Sequence, residues 1–195
     1  MRKSMRTSVA AAVAVVAMAA MVASAPASAA VWQKSGKPLS ESVELQLHGG
    51  EVIQVAAGAF NCNANATMTT AGGSTAQITA YSIELGTCEG LLGEFVGCEV
   101  TAATPENLPW AVTVNTEDLT AQEIAISYSF DEACPIHKVE SSFPEVSVTL
   151  EEPSAIRDFR IGQEGVGKVD GKEGWLIDSG ILQLPEEEFG IYGIG

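Results

Sequence analysis

The chain has 195 residues, of which 25 are acidic and ten are basic, and its formal net charge is −15 at pH 7. Such a chain repels phosphate backbones and anionic lipid surfaces, which argues against nucleic acid as a partner and against a membrane once the N-terminal segment is removed. A cation or a basic extracellular partner is compatible with this charge, although acidity alone identifies neither.

Residues 1–30 have the three parts of a secretory signal peptide. Three basic residues stand among the first six, residues 9–22 form an apolar run, and Ala-Ser-Ala at 27–29 offers the small residues that precede a cleavage site. The apolar run is shorter than the roughly 20 residues that cross a bilayer. We therefore predict cleavage after Ala29 or Ala30 and a secreted or extracellular product. That product keeps all 25 acidic residues but only seven basic ones, for a net charge of −18.

Residues 31–195 are predicted to form a single β-domain, because apolar and polar residues alternate along most of this segment. The first example is "VELQLHGGEVIQV", in which Gly49-Gly50 separates two alternating runs and indicates a two-residue hairpin turn. Later examples are "WAVTVN", "EIAISYSF" and "EVSVTLE", and Asp170-Gly171 marks a further turn. Ten or more short strands and no amphipathic helix indicate an all-β fold, either an antiparallel β-sandwich or a barrel-like relative.

The four cysteines are Cys62, Cys88, Cys98 and Cys134, an even number in a chain predicted to enter an oxidising compartment. A metal site would favour cysteines in a Cys-x-x-Cys pair, and their spacing contains no such pair. A catalytic thiol would be unpaired and near a basic group. The sequence therefore predicts two disulfides. Three connectivities are open, and we favour Cys88–Cys98 across the glycine-rich loop, which leaves Cys62 to pair with Cys134.

Two tryptophans raise the same question of burial. Trp32 lies near the predicted mature N-terminus, and Trp110 begins a strand in "NLPW". Each is either a core residue or an exposed binding platform. For Trp110 we favour the core, with its ring buried and its N–H bonded near the end of the barrel or sandwich.

A set of short motifs recurs in a defined order: a Trp-x-x-x-Gly start at Trp32, "TCEG" and "GCEVTA" at the middle cysteines, "NLPW", and a strand ending at Cys134. In this order the chain resembles a group of small uncharacterised secreted proteins of high-GC actinobacteria. The resemblance spans roughly residues 32–134. It implies export, β-structure and disulfides, and it implies no activity and no catalytic residue.

Little in the sequence points to catalysis. The two histidines, His48 and His137, have no recognisable catalytic partners, and no serine lies in Gly-x-Ser-x-Gly. Oxygen-rich turns such as Asp170-Gly171 suit calcium, but a hairpin accounts for that turn, so we predict no metal and no cofactor. A glycosidase needs only two carboxylates at the right separation, and 25 acidic residues always supply some pair.

Two functions of different classes follow. The first is a non-catalytic, secreted, acidic β-domain that acts in extracellular or cell-surface binding. The alternative is a small secreted hydrolase that uses carboxylates. A cleft in which two carboxyls face each other, at least one with a raised pKa, would favour the hydrolase.

Overall fold

The computed structural model describes residues 30–195, and nearly all of its regular structure is β. The strands are β1 (Trp32–Lys34), β2 (Lys37–Pro38), β3 (Val43–Val55), β4 (Gly58–Thr70), β5 (Thr75–Gly93), β6 (Val100–Glu106), β7 (Trp110–Val114), β8 (Asp118–Phe130), β9 (Lys138–Leu150), β10 (Asp158–Val169), β11 (Lys172–Gln183) and β12 (Tyr192–Ile194). A single 3-10 turn, Glu186–Glu188, is the one helical element of this part of the chain. The predicted signal peptide lies outside the described residues. No helix in residues 30–195 is both long enough and apolar enough to cross a membrane.

Strands β3 to β11 form a closed antiparallel barrel of eight strand positions. Each position pairs with the next along the chain, and β11 returns to pair with β3. Strands β6 and β7 share one position, since they lie one after the other along β8. The all-β prediction is confirmed, and of the two architectures it allowed the barrel is the one formed. Closure gives nearly every barrel position two hydrogen-bonded neighbours, and the exception lies between β5 and β6.

The alternation seen in the sequence sets which side chains enter the barrel. Along β8, Leu119 and Ala121 point inward, and after one extra residue Ile124 and Ile126 do the same. The extra residue lies at Glu123, whose φ is 57°. The ladder between β8 and β9 keeps its register across this point, because β9 also has an extra residue between its buried Phe143 and Val146.

The two ends of the barrel are closed by different means. At one end, here called the disulfide end, Phe95 is fully buried and its ring stands 5.2 Å from that of Phe60 and 5.1 Å from that of Phe130. At the other, the terminal end, a small sheet of β12, β1 and β2 covers the opening and places Trp32 inside. Both plugs remove apolar side chains from water.

The prediction of a hairpin turn at Gly49-Gly50 is wrong. Both glycines lie in the middle of β3, which pairs without interruption with β4 from Val43 to Val55. A Cβ at Gly49 would meet the Ile181 carbonyl oxygen of β11 at 1.8 Å, so the glycine is required by a close approach of two strands. The turn predicted at Asp170-Gly171 is confirmed: both residues have positive φ and join β10 to β11.

All four cysteines form disulfides, as predicted, but the predicted pairing is wrong. The bonds are Cys62–Cys88 and Cys98–Cys134, with Cα–Cα distances of 4.1 and 5.0 Å. The reason is local to β5, whose ladder with β4 shifts register between Asn61 and Asn63. The bulge brings Cys88 beside Cys62 on the neighbouring strand, and Cys98 is left to join Cys134 at the disulfide end.

One side of the barrel is closed less completely than the rest. Strand β5 pairs with β7 only from Thr75 to Ile78, and the last pair is Ile78 with Trp110. From residue 79 onward no ladder joins β5 to β6 within the described part of the chain. We call this gap between β5 (residues 79–93) and β6 the seam.

Candidate functional site

The inner face of the barrel is mostly apolar, and two carboxyls form a small polar cluster on it. Glu51 on β3 is 3% exposed and Asp178 on β11 is 6% exposed. In the ladder between these strands Glu51 stands opposite Gly180, and Asp178 stands opposite Ile53. The two acidic residues are therefore diagonal neighbours on the same face of the sheet.

Local sequence explains how Glu51 fits. Its partner across the ladder, Gly180, has no side chain, and a Cβ there would come within 3.2 Å of the Glu51 Cβ. Glycine at this position leaves the space through which the Glu51 side chain enters the lumen.

Both oxygens of Glu51 are hydrogen-bonded. The hydroxyl of Tyr128, a fully buried residue of β8, donates to Oε1 at 2.5 Å. The hydroxyl of Tyr81, a half-buried residue of β5, donates to Oε2. These bonds tie β3 to two strands on other sides of the barrel. Removing Glu51 would leave two tyrosine hydroxyls without their acceptor.

Asp178 is in a different situation. Its Oδ1 is buried and has no hydrogen-bond partner. No basic side chain is buried anywhere in residues 30–195, so no cation inside the barrel compensates it. A buried carboxyl in this state is costly when ionised.

Burial raises the pKa values of the ionisable groups in the cluster. Loss of hydration raises the pKa of Asp178 well above its ordinary value, and the neighbouring Glu51 charge raises it further. Burial also raises the pKa of Glu51, while the hydrogen bonds from Tyr128 and Tyr81 act in the opposite direction. For both tyrosines burial raises the pKa well above the usual range, so the hydroxyls remain donors.

A cavity of about 50 Å³ lies against this cluster in the barrel lumen. Glu51, Tyr81 and Asp178 supply its polar wall, and its other lining side chains are apolar. It borders the seam where the rings of Tyr81 and Trp110 stand 5.4 Å apart. The cavity is therefore a small apolar space with a carboxyl acceptor in its wall.

The other residues that the sequence singled out lie away from this cluster. Trp110 is buried and its Nε1–H donates to the Glu106 carbonyl at 2.7 Å, which confirms the core prediction. Trp32 is fully buried too. His48 and His137 are exposed. Asp170 accepts the backbone N–H groups of His137 and Lys138, so its carboxylate stabilises a loop.

One cluster of metal-ligating residue types involves two of the cysteines. Asp131 lies close to Cys98 and Cys134. Those two sulfurs are joined in a disulfide, and a disulfide offers no thiolate to a metal. The Asp131 Oδ1 accepts the backbone N–H of Glu99 at 3.0 Å and so helps to fix the same loop.

Sequence reasoning missed Glu51 and Asp178, although a signal was present. In "EVIQV" Glu51 has the same phase as Ile53 and Val55, and in "LIDSGIL" Asp178 has the same phase as Leu176 and Leu182. A carboxylate in the apolar phase of a strand indicates a buried acid. Interpreting Gly49-Gly50 as a turn hid this phase, because a turn would end the strand just before Glu51.

The chain matches one family model, described as "Alkane oxidation protein activator PraA/PraB-like", over residues 2–154. The matched segment contains Glu51, Tyr81, Tyr128 and the four cysteines, whereas Asp178 lies beyond it. No curated protein matches the chain. No solved structure matches it either. The resemblance to secreted actinobacterial proteins stays a prediction.

Proposed function

The chain belongs to the PraA/PraB-like family of alkane oxidation protein activators, and on that premise we propose that it is an exported, non-catalytic accessory protein that promotes alkane oxidation by binding. The family description names an activator of oxidation, which is a supporting role. Two disulfides in a chain of this size are typical of an oxidising, extracellular or periplasmic environment.

The observation that carries this proposal is the state of the two lumen carboxyls. A carboxylate enzyme keeps one acid protonated and the other ionised, and it brings both to a space that admits substrate. Here burial raises the pKa of both carboxyls in the same direction. Both oxygens of Glu51 are already occupied by tyrosine hydroxyls. The cluster is suited to holding a small polar group and poorly suited to acid–base chemistry.

The size of the cavity also argues against hydrolysis of a sugar substrate at the two carboxyls. Its volume is about 50 Å³, whereas a cavity of about 150 Å³ is what accommodates benzene. A sugar ring is larger than benzene, so a glycoside does not fit beside the two carboxyls. The feature that would favour a hydrolase, a pair of carboxyls with raised pKa, is present, but the space beside it is too small for a sugar ring.

The proposal is tested by adding the purified exported protein to cells that oxidise n-hexadecane and measuring oxygen uptake. We expect faster uptake with the protein than with an equal mass of serum albumin. Incubation of the protein alone with n-hexadecane should leave the hydrocarbon unchanged. Absence of stimulation would contradict the accessory role.

The hydrolase alternative keeps one specific observation in its favour, the buried carboxyl pair, and it has its own test. The purified protein is screened against ester and glycoside substrates, and any turnover is compared with that of Glu51→Gln and Asp178→Asn. Turnover that survives purification and disappears in either variant would replace the proposed function with carboxylate hydrolysis.

A further inference from the structure

We propose that the lumen cavity binds the hydroxymethyl end of a linear primary alcohol, with the alcohol O–H donating to Asp178 and the alkyl chain leaving the barrel through the seam beside Tyr81. The assignment rests on the proposed function only for the choice of an aliphatic chain. The requirement for a hydrogen-bond donor comes from the cluster itself.

The first step is the unpaired acceptor. The Asp178 Oδ1 is buried, lines the cavity and has no partner, whereas Glu51 beside it has both oxygens occupied. A buried carboxyl oxygen without a donor is stabilised by any ligand that brings an O–H group to it. A saturated hydrocarbon has no O–H group, so it would leave the Asp178 oxygen without a hydrogen-bond partner.

The second step is the size of the space. A cavity of about 50 Å³ has room for only a few groups of water size, since about 10–15 Å³ of such space holds one water molecule. That space suits a CH₂–OH end and excludes a branched or cyclic body. The remaining wall is apolar, including Met68, Val146 and Phe159, and it suits the methylene.

The third step is the way out for the chain. Backbone pairing between β5 and its neighbour ends at Ile78 and Trp110, which is where the cavity meets the seam. Tyr81 stands there half-buried, with its ring against Trp110 and its hydroxyl on Glu51. Because no backbone hydrogen bonds join the two strands here, an unbranched alkyl chain can pass between them without breaking any.

Exposed apolar side chains continue along the same strand. Leu85, Leu91 and Leu92 of β5 and Val96 just after it are 41%, 43%, 59% and 66% exposed. The three leucines lie on the segment that borders the seam, so an alkyl chain leaving the lumen finds apolar surface there. A group of exposed large aliphatic residues of this kind commonly marks a binding surface.

The test is calorimetric titration of the purified protein with n-octanol, n-octane and n-octylamine, each below its micelle or solubility limit. We expect n-octanol to bind with one site per chain and at least about tenfold more tightly than n-octane, the effect of one hydrogen bond to a buried carboxyl. Equal affinity for n-octanol and n-octane would overturn the proposal. So would n-octylamine binding more tightly than n-octanol, because the lumen would then be a cation site. Binding of none of the three would overturn it too.

Variants locate the site. Asp178→Leu should weaken n-octanol binding about tenfold or more and leave n-octane binding unchanged, and Asp178→Asn should retain n-octanol because its amide keeps an acceptor oxygen. Glu173→Gln, on the exposed part of β11, is the matched control and should bind as the wild type does. Unchanged n-octanol binding in a folded Asp178→Leu protein would refute the assignment.

A second variant keeps the proposal falsifiable if Asp178→Leu fails to fold. Ala121 lines the cavity from β8, and Ala121→Leu should fill the space and abolish n-octanol binding while the Asp178 carboxyl stays in place. Full n-octanol affinity in that variant would place the ligand outside the lumen and overturn the proposal. Stimulation of alkane oxidation is measured separately with the wild type, so its absence would contradict the proposed function while the titrations still decide the lumen site.

Discussion

Two sides of one buried cluster differ in how their charge is accommodated. On the β3 side, Glu51 accepts hydrogen bonds from Tyr81 and Tyr128. On the β11 side, Asp178 is almost equally buried but its Oδ1 has no partner. Two carboxyls in the same lumen therefore have different roles. Glu51 links strands through its hydrogen bonds, whereas Asp178 has an acceptor oxygen without a donor. The difference teaches that burial alone does not tell whether a carboxyl holds the fold together or awaits a ligand.

The comparison predicts opposite signs for removing the two carboxyls, and Glu51 should give the larger effect. Glu51→Leu leaves two tyrosine hydroxyls without an acceptor, so we expect the free energy of unfolding to fall by about 2–4 kcal/mol. Urea denaturation followed by circular dichroism measures it. Glu51→Gln is the control, since its amide still accepts one hydroxyl and should cost less. A Glu51→Leu protein as stable as the wild type would mean that the tyrosine bonds contribute nothing net.

Asp178→Asn should stabilise the protein in the absence of ligand. The substitution removes a carboxyl whose ionised form is desolvated and unpaired, and the expected gain is about 1–3 kcal/mol near neutral pH. Thermal unfolding with the disulfides intact is the measurement, and Asp170→Ala, which removes the acceptor oxygen, is a useful contrast. The Asp170 Oδ1 accepts two backbone N–H groups, so replacing that residue should destabilise. A loss of stability in Asp178→Asn would show that Asp178 has a structural partner.

Both carboxyls should make the stability of the protein depend on pH. Burial raises the pKa of Asp178 and of Glu51 above their values in the unfolded chain. As the pH rises, the unfolded chain loses these protons first, so the folded state binds more protons and the free energy of unfolding falls. The decline should begin near pH 4 and continue through the raised pKa values, at up to about 1.4 kcal/mol per pH unit for each group.

Subtracting the Asp178→Asn curve from the wild-type curve isolates the contribution of Asp178, because the exposed carboxylates are shared by both proteins. Denaturation at a series of pH values gives both curves. Identical slopes in the two proteins would mean that the Asp178 carboxyl titrates as it does in the unfolded chain.

The smallest effects should come from the two tyrosines, and they sharpen the comparison within the Glu51 side. Tyr128→Phe and Tyr81→Phe each remove one donor and leave Glu51 with the other, for an expected loss of about 0.5–1.5 kcal/mol. Tyr128 is fully buried and Tyr81 is half-buried beside the seam, so Tyr128→Phe should cost more. The double variant should cost more than the sum of the single ones, since Glu51 then has no donor left. Strict additivity, from the same urea experiment, would argue against a shared acceptor.

The sequence by itself determined most of the secondary structure and the chemistry of the cysteines. Alternation of apolar and polar residues is a local property, so it identified strands such as 110–114 and 124–130 and the turn at Asp170-Gly171. An even cysteine count was sufficient to predict that all four are bonded. Burial of Trp110 followed from the amphipathic character of the indole.

Only the tertiary structure decided which strands become neighbours, and the remaining results depend on that. The β5 bulge beside Cys62 changed the disulfide pairing, and the contact of Gly49 with β11 kept β3 continuous through two glycines. Barrel closure brought Glu51 and Asp178, 127 positions apart in the numbering, onto one face of the sheet. A carboxyl is orphaned or satisfied by groups from distant strands, and no local pattern in the chain specifies where those groups lie.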